Sequence, residues 1–425
     1  MINTIKGLIK KGFVHIFSAN LINKFIQFGI SIVIVRLISK TEYGEFSYAQ
    51  NILSIFMLLQ GLGVIDGLLQ FASESETDEQ KIAYFNFAAW FGLSFNFIIS
   101  LIIILLSIFY TFNIEGSGGI LLKLSFIPVI SLVYNLILML LRANLENKKF
   151  SSLAVINTLS YLIGSIALGY LYGVNGIIVA NYFSFIVSCF IGFIFIKDSI
   201  LKKKNTYLIS KEKKKEFIKF SATASITNSI SQILYLLDTF LIGIFISNAA
   251  VIAVYKNATL IPFNLTFIPL SIAIFMYPYL AKRREDKKWI GKTYFKLIIG
   301  LGVINLIITI ILIMFAPLII KIIFGENYLD CVPAFRILSF GYFIAGTFRV
   351  PAGNTLFALK KLKVNLINSI LSGVVNIVLD IVLILKYGHI GAAIATVTVF
   401  IVSSIIANGY IYYYVYIEKE GEGEC

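Results

Sequence analysis

The residues able to do chemistry in this chain are charges standing in apolar surroundings. Lys24, Arg349, Arg36, Lys123, Lys256 and Arg336 sit inside or at the edges of long apolar stretches, and so do Asp238, Asp380 and Asp66. An ionised side chain in an apolar medium costs about 2.5–3.5 kcal/mol on membrane-insertion scales, so such residues face a cavity or a partner. The cations suit an anionic ligand. Arg grips a phosphate through its planar fork, and Lys holds it as a point charge. The carboxylates suit a proton or a sodium ion, and equally an interhelix salt bridge with an Arg. The only histidines are His15 and His389, and Cys189, Cys331 and Cys425 lie far apart, so no metal or redox site is expected. No GxxxxGK[ST] or GxGxxG loop occurs, which argues against ATP hydrolysis and dinucleotide chemistry. No catalytic residue and no bound cofactor is expected.

The elements that must position these charges follow from composition. Of 425 residues, 58% are hydrophobic and 14% charged, against about 25% charged in ordinary globular proteins. Mean hydropathy is +0.89. So few charges cannot make a water-soluble surface, and the chain reads as an all-α polytopic membrane protein. A helix needs about 20 apolar residues to cross the hydrocarbon core. Twelve such spans run over 13–38, 46–70, 82–110, 119–141, 152–172, 175–196, 217–246, 251–280, 293–323, 332–358, 364–386 and 390–416. The runs are too long for a barrel and lack its two-residue alternation.

Threading these spans puts nearly all cationic loops on one side. Lys6, Lys10, Lys11, Lys81, Arg142, Lys148, Lys149, Lys282, Arg283, Arg284, Lys360, Lys361 and Lys363 share it with the basic stretch 197–216. The positive-inside rule then places both termini in the cytoplasm and accounts for the net charge of +14 without nucleic acid. The N-terminus reads as an uncleaved first helix and the tail 418–425 as a short polar extension.

In this frame Lys24 and Arg349 are the deepest cations, placed for a cavity; Lys24 equally suits a pair with a carboxylate of a neighbouring helix. Arg36, Lys123, Lys256 and Arg336 lie near outer ends, where long side chains snorkel to the interface. Asp238 and Asp380 fall in the outer halves of spans 7 and 11. Asp66, nearer the cytoplasmic end of span 2, suits either a cation at an inner gate or an interfacial cap. Pro262, Pro269 and Pro278 in span 8, and Pro351 with Gly341 and Gly346 in span 10, mark the spans expected to bend.

The chain repeats itself. Residues 142–188 align without gaps on 357–403, an offset of 215: Lys148 meets Lys363, Leu168 meets Leu383, Tyr172–Gly173 meets Tyr387–Gly388, Gly176 meets Gly391, and Ser188 meets Ser403. A repeat of six spans, an even number, keeps its orientation, so the two copies are parallel. The expected organisation is an N-lobe over 1–196, a basic cytoplasmic linker over 197–216 and a C-lobe over 217–425. Two six-helix lobes around a central cavity suit alternating access.

Five segments resemble a known family. They are Arg36-Leu37-Ile38-Ser39 with Glu42-Tyr43-Gly44, Gln60-Gly61-Leu62-Gly63, Tyr235-Leu236-Leu237-Asp238 with Ile242-Gly243, Ile323-Phe324-Gly325-Glu326-Asn327-Tyr328 with Pro333 and Arg336, and Tyr387-Gly388-His389-Ile390-Gly391. In order and spacing they resemble the Wzx-type O-antigen and polysaccharide flippases of the multidrug/oligosaccharidyl-lipid/polysaccharide exporter superfamily, to which the MATE transporters also belong. The resemblance implies a substrate of undecaprenyl-pyrophosphate-linked oligosaccharide, moved from the cytoplasmic to the outer leaflet of the cell (inner) membrane. It makes the pyrophosphate and any acidic sugars the anions for the cationic cavity. It implies as partners that lipid, the membrane lipids, and a polysaccharide polymerase and chain-length regulator, with a proton or sodium gradient as driving force. The alternative within the superfamily is a drug or small-molecule/cation antiporter. Those relatives commonly carry an acidic residue in the first helix, whereas span 1 has Asn20, Asn23 and Lys24 and no carboxylate. A membrane enzyme would need large external loops, and the acidic run 74–79 (ESETDE) is an isolated solvated stretch.

Overall fold

The computed structural model describes residues 13–201 and 207–417. Lys6, Lys10, Lys11, the part of the basic stretch at 202–206 and the tail 418–425 lie outside the described residues. No strand occurs among the described residues. Each of the twelve expected spans coincides with a helix or with two helices meeting at a short break. By length and apolarity alone, eight helices among the described residues can cross a membrane, or nine with the bent pair Ser117–Leu124 and Ile127–Ala143 taken as one span. One of the eight, Asn147–Lys197, is two helical arms (spans 5 and 6) that join at Gly173, where φ is 57° and ψ −135°. Lys211–Phe245 (span 7) has a polar middle, 221–232, which reads SATASITNSISQ.

Local sequence explains where the elements begin and break. Span 2 starts with a capping box: Glu42 N–H donates to Ser39 Oγ at 3.2 Å, and Ser39 N–H to Glu42 Oε2 at 2.9 Å. Span 8 breaks at Thr266 between Ala249–Leu265 and Phe267–Lys282. Pro269 falls in the first turn of the second piece, where its missing N–H costs no helical bond. Span 10 carries a π-turn, Ala345–Arg349, directly before Val350 and Pro351. Its geometry is held by side chains: Tyr342 donates to Asn305 Oδ1 at 2.7 Å, Asn305 to Thr347 Oγ1 at 3.2 Å, and Asn408 to the Phe348 carbonyl at 3.1 Å.

The internal repeat is written in the backbone. Leu145 and Lys360, 215 residues apart, take φ of 59° and 60°. Gly173 and Gly388, again 215 apart, take nearly the same conformation (57°, −135° and 62°, −140°). One turn later, Gly176 and Gly391 lie against the carbonyls of Leu168 and Leu383. Ser188 accepts from Asn157 at 3.1 Å, and its counterpart Ser403 accepts from Asn368 at 3.0 Å.

Two compact units are distinguished, Met1–Leu236 and Leu237–Cys425, so the division falls within the helix of span 7. The first is organised around Leu68, Leu132, Ile137, Leu141 and Phe217, all buried. In the second, two clusters include Leu280, Ile290 and Leu359, and Ala352, Leu356 and Ile411.

Candidate functional site

In the first unit, span 2 is broken at Gln60–Gly63, where Gly61, Leu62 and Gly63 take φ of 57°, 51° and 77°. A break inside a span exposes backbone groups that hydrocarbon cannot satisfy, so protein must. Here buried amides and hydroxyls do so. Gly61 N–H donates to Asn96 Oδ1 at 2.6 Å, and Asn96 donates to the Pro128 carbonyl at 2.6 Å. Gln60 donates to Ser131 Oγ at 2.7 Å and accepts from Asn135 at 3.3 Å. Ser225 and Ser229 of span 7 both donate to the Leu58 carbonyl, at 3.1 and 3.0 Å.

Beside this break lies a cavity of about 610 Å³, with Ser54, Gln60, Asp66, Asn228, Gln232 and Tyr235 in its wall. Asn228 donates to Asp66 Oδ2 at 3.2 Å. Amides, hydroxyls and one tyrosine ring, with a single carboxylate, are groups that bind neutral polyhydroxylated ligands. This also explains the polar middle of span 7.

The wall requires span 7 to approach span 2 closely. A Cβ on Gly63 would run into the carbonyl of Ser221, and one on Gly67 into the Ser221 hydroxyl. Gly63 is also left-handed. Gly63→Ala is therefore expected to destabilise the unit by about 2–5 kcal/mol, from left-handed strain and overpacking together. Gly119→Ala, with nothing within 4 Å of the new Cβ, is the control. Thermal melting of the two purified variants tests this, and equal melting temperatures would refute the close crossing.

In the second unit, spans 7, 8, 11 and 12 converge on a pair of carboxylates. Asp238 is 4% exposed and Asp380 fully buried. Tyr255 and Thr396 both donate to Asp238 Oδ2, and Asn376 donates to Oδ1 at 3.4 Å. Asp380 lies against Asp238, and neither of its oxygens accepts a hydrogen bond among the described residues. Lys256, half-buried, stands next to Tyr255 and within electrostatic reach of Asp238. Among the described residues no Arg pairs with either carboxylate, so the salt-bridge arrangement to Arg is not the one found. Two buried carboxylates side by side repel unless a proton or cation is shared between them.

The remaining candidates are spread out. Lys24 is exposed on the first unit, as is Arg36. Lys123, also exposed, donates to Asn175 Oδ1 at 2.6 Å. Arg336 is exposed and donates to the Ile313 carbonyl at 3.2 Å. Arg349, half-buried in the second unit, sits at the end of the π-turn with its guanidinium 5.0 Å from the Phe400 ring centre. The structure thus joins Asp66 to the polar cavity and Asp238 to Asp380. It adds residues that sequence reasoning passed over: Asn96, Asn135, Asn228, Gln232, Tyr255, Asn376 and Thr396. Their signal was only a polar residue in an apolar run.

The inward-facing structure of a MATE-family multidrug transporter of the MOP superfamily superposes with a TM-score of 0.74 at 15% identity, covering 92% of this chain and 94% of that one. The lipid II flippase MurJ, in an inward closed conformation, gives 0.71 at 17% identity, over 93% and 87%. Among curated proteins, an uncharacterized membrane protein of Methanocaldococcus jannaschii is 29% identical over 255 residues, covering 58% of this chain and 50% of its own. A Shigella flexneri protein called "Putative O-antigen transporter" is 26% identical over 223 residues, covering 52% and 51%. The chain spans about half the length of the curated relatives it matches. Fold and apolar helices together define a multi-pass membrane protein of the MATE/MurJ transporter architecture. Residues 33–333 match the sequence model of the polysaccharide biosynthesis protein family, and the chain belongs to that family.

Proposed function

We propose that this protein is a flippase that moves a lipid-linked oligosaccharide across the membrane by alternating access, in the assembly of a surface polysaccharide. The observation that carries this reading is the cavity on the broken span 2, where Ser54, Gln60, Asn228, Gln232 and Tyr235 stand among Leu53, Met57, Ile65 and Leu236 in its wall. Family membership and the fold likeness to a lipid flippase support it. The substrate is undecaprenyl-pyrophosphate-linked, passing from the cytoplasmic to the outer leaflet of the cell membrane, with both termini cytoplasmic. Its sugars dock on the cavity wall of the first unit, and Arg349 is a cation of the pathway within the second. The Asp238–Asp380 pair takes up the coupling proton or sodium ion.

The test is a deletion strain. Loss of surface polysaccharide is expected, with the complete lipid-linked repeat unit accumulating on the cytoplasmic leaflet; the leaflet matters because blocked polymerisation also causes accumulation. Wild type restores export. Asn228→Leu and Arg349→Ala restore roughly a tenth or less, since each removes at least one ligand hydrogen bond of about 1–3 kcal/mol. Normal surface polysaccharide without accumulation would overturn the reading.

A further inference from the structure

The second unit holds a cavity that the transport reading does not use. It measures about 460 Å³ and lies between the starts of spans 9 and 10's π-turn on one side and the end of span 12 on the other, with Tyr294, Phe295, Ile298, Ile405, Tyr412 and Tyr416 in its wall. The wall is apolar, and its polar groups mainly satisfy one another. Tyr294 donates to Asn408 at 2.6 Å, and Asn408 to the carbonyls of Phe348 and Ser404. Phe295, Ile405, Tyr412 and Tyr416 are more than half exposed, so the cavity opens at the surface. Gly291 lets spans 9 and 12 approach closely at its mouth, because a Cβ there would stand 2.6 Å from Val415 and 3.2 Å from the Tyr416 hydroxyl.

The mouth is cationic and built. Lys282, Arg283, Arg284, Lys287, Lys288 and Lys292 surround the turn before span 9. Tyr414 donates to the Arg284 carbonyl at 2.9 Å, which ties the end of span 12 to this turn. Lys287 and Lys361 lie 5.2 and 4.9 Å from the Tyr414 ring centre. Of the acids beside this turn among the described residues, Glu285 lies 3.6 Å from Arg284, and Asp286 caps the helix by accepting from Trp289 N–H. Lys287 and Lys288 occupy the first turn of Lys287–Met314, which holds no acidic residue. The start of a helix favours an anion through its dipole, and these side chains bring cationic donors to the same place. They share a helix face with Gly291, Tyr294, Phe295 and Ile298.

An apolar slot in the bilayer, entered between cations and tyrosines, has the chemistry of a lipid with an anionic headgroup. We infer that this cavity is a binding site for an anionic membrane phospholipid, with the phosphate at Lys287 and Lys288 and one acyl chain along Phe295 and Ile298. The chain rests on the π-turn that carries Arg349.

The protein's two tryptophans, Trp90 and Trp289, supply the test. Trp90 is exposed in the first unit, and Trp289 packs in the cluster that includes Val415 at the cavity mouth. In the Trp90→Phe variant, Trp289 fluorescence is titrated with phosphatidylglycerol carrying brominated acyl chains and with the matching phosphatidylcholine. Half-quenching is expected at roughly tenfold lower mole fraction of the anionic lipid. Lys287→Ser/Lys288→Ser removes the preference, and the exposed Lys288→Ser alone reduces it without disturbing the tyrosine contact. Lys213→Ser/Lys215→Ser, equally basic but in the first unit, leaves it intact. Equal quenching by both lipids overturns the site. Full relief of quenching by undecaprenyl phosphate at equal mole fraction also overturns it, by giving the cavity to a substrate tail.

Discussion

Asp380→Asn is expected to raise the melting temperature of the purified protein and to abolish its response to sodium or acid, whereas Asp238→Ala lowers the melting temperature. The two carboxylates are neighbours, yet their surroundings are opposite. Asp238 accepts from Tyr255, Thr396 and Asn376, and Tyr255 is itself 1% exposed. Removing that acceptor strands buried donors at about 1–3 kcal/mol each. Asp380 has no donor on either oxygen among the described residues and lies against a second carboxylate. Its neutral isostere removes the repulsion that the ionised pair would feel and supplies a carboxamide that can donate to Asp238. For a unit of this size 1 kcal/mol moves the melting temperature by roughly 2–4 °C. A pair with such a structural penalty persists because it does something, and binding of a shared cation is the use its geometry offers. In wild type, sodium or acid should therefore raise the melting temperature by mass action. Measuring it across sodium at constant ionic strength and across pH decides the matter. Insensitivity of wild type to both, or a destabilised Asp380→Asn, would overturn the coupling role.

How far the sequence reaches depends on what kind of feature is asked for. The spans were legible because twenty apolar residues in a row have few alternatives in water or lipid. The repeat was legible at 172–176 and 387–391, where a tight junction between helices demands glycine. The polar cavity was not, because Gln60, Asn96, Asn135 and Asn228 carry no charge and gain meaning only when the break at Gln60–Gly63 collects them. Asp238 was legible as a charge out of place, but its partners lie 17, 138 and 158 residues away. Only the folded bundle brings spans 8, 11 and 12 to it. Proline likewise marked span 8 correctly as irregular, while the break itself is at Thr266.

The repeat makes the second large prediction. Gly176→Ala and Gly391→Ala are each expected to cut the yield of folded protein severely, and by similar amounts. Both glycines follow a left-handed glycine by three residues, and a Cβ on either would be driven into a backbone carbonyl, Leu168 or Leu383. Backbone cannot step aside as a flexible side chain can, so the expected loss falls among the rare single-site effects above about 4 kcal/mol. Gly300→Ala and Gly409→Ala meet nothing within 4 Å and lie in regular helix. They should be neutral or gain up to about 1 kcal/mol from helix propensity. Expression level and thermal melting of the four variants give the answer, and a wild-type melting temperature for Gly391→Ala would show the junction is looser than drawn. If the two junction variants fail together, the hairpins of spans 5–6 and 11–12 are rigid members within their own units. Conformational change must then be taken up by backbone that is already irregular, including the glycine break of span 2, the Thr266 break of span 8 and the π-turn before Pro351. Two of these three lie beside a group assigned to the substrate, Gln60 at the first and Arg349 at the third, so the moving parts and the binding groups are the same pieces of chain.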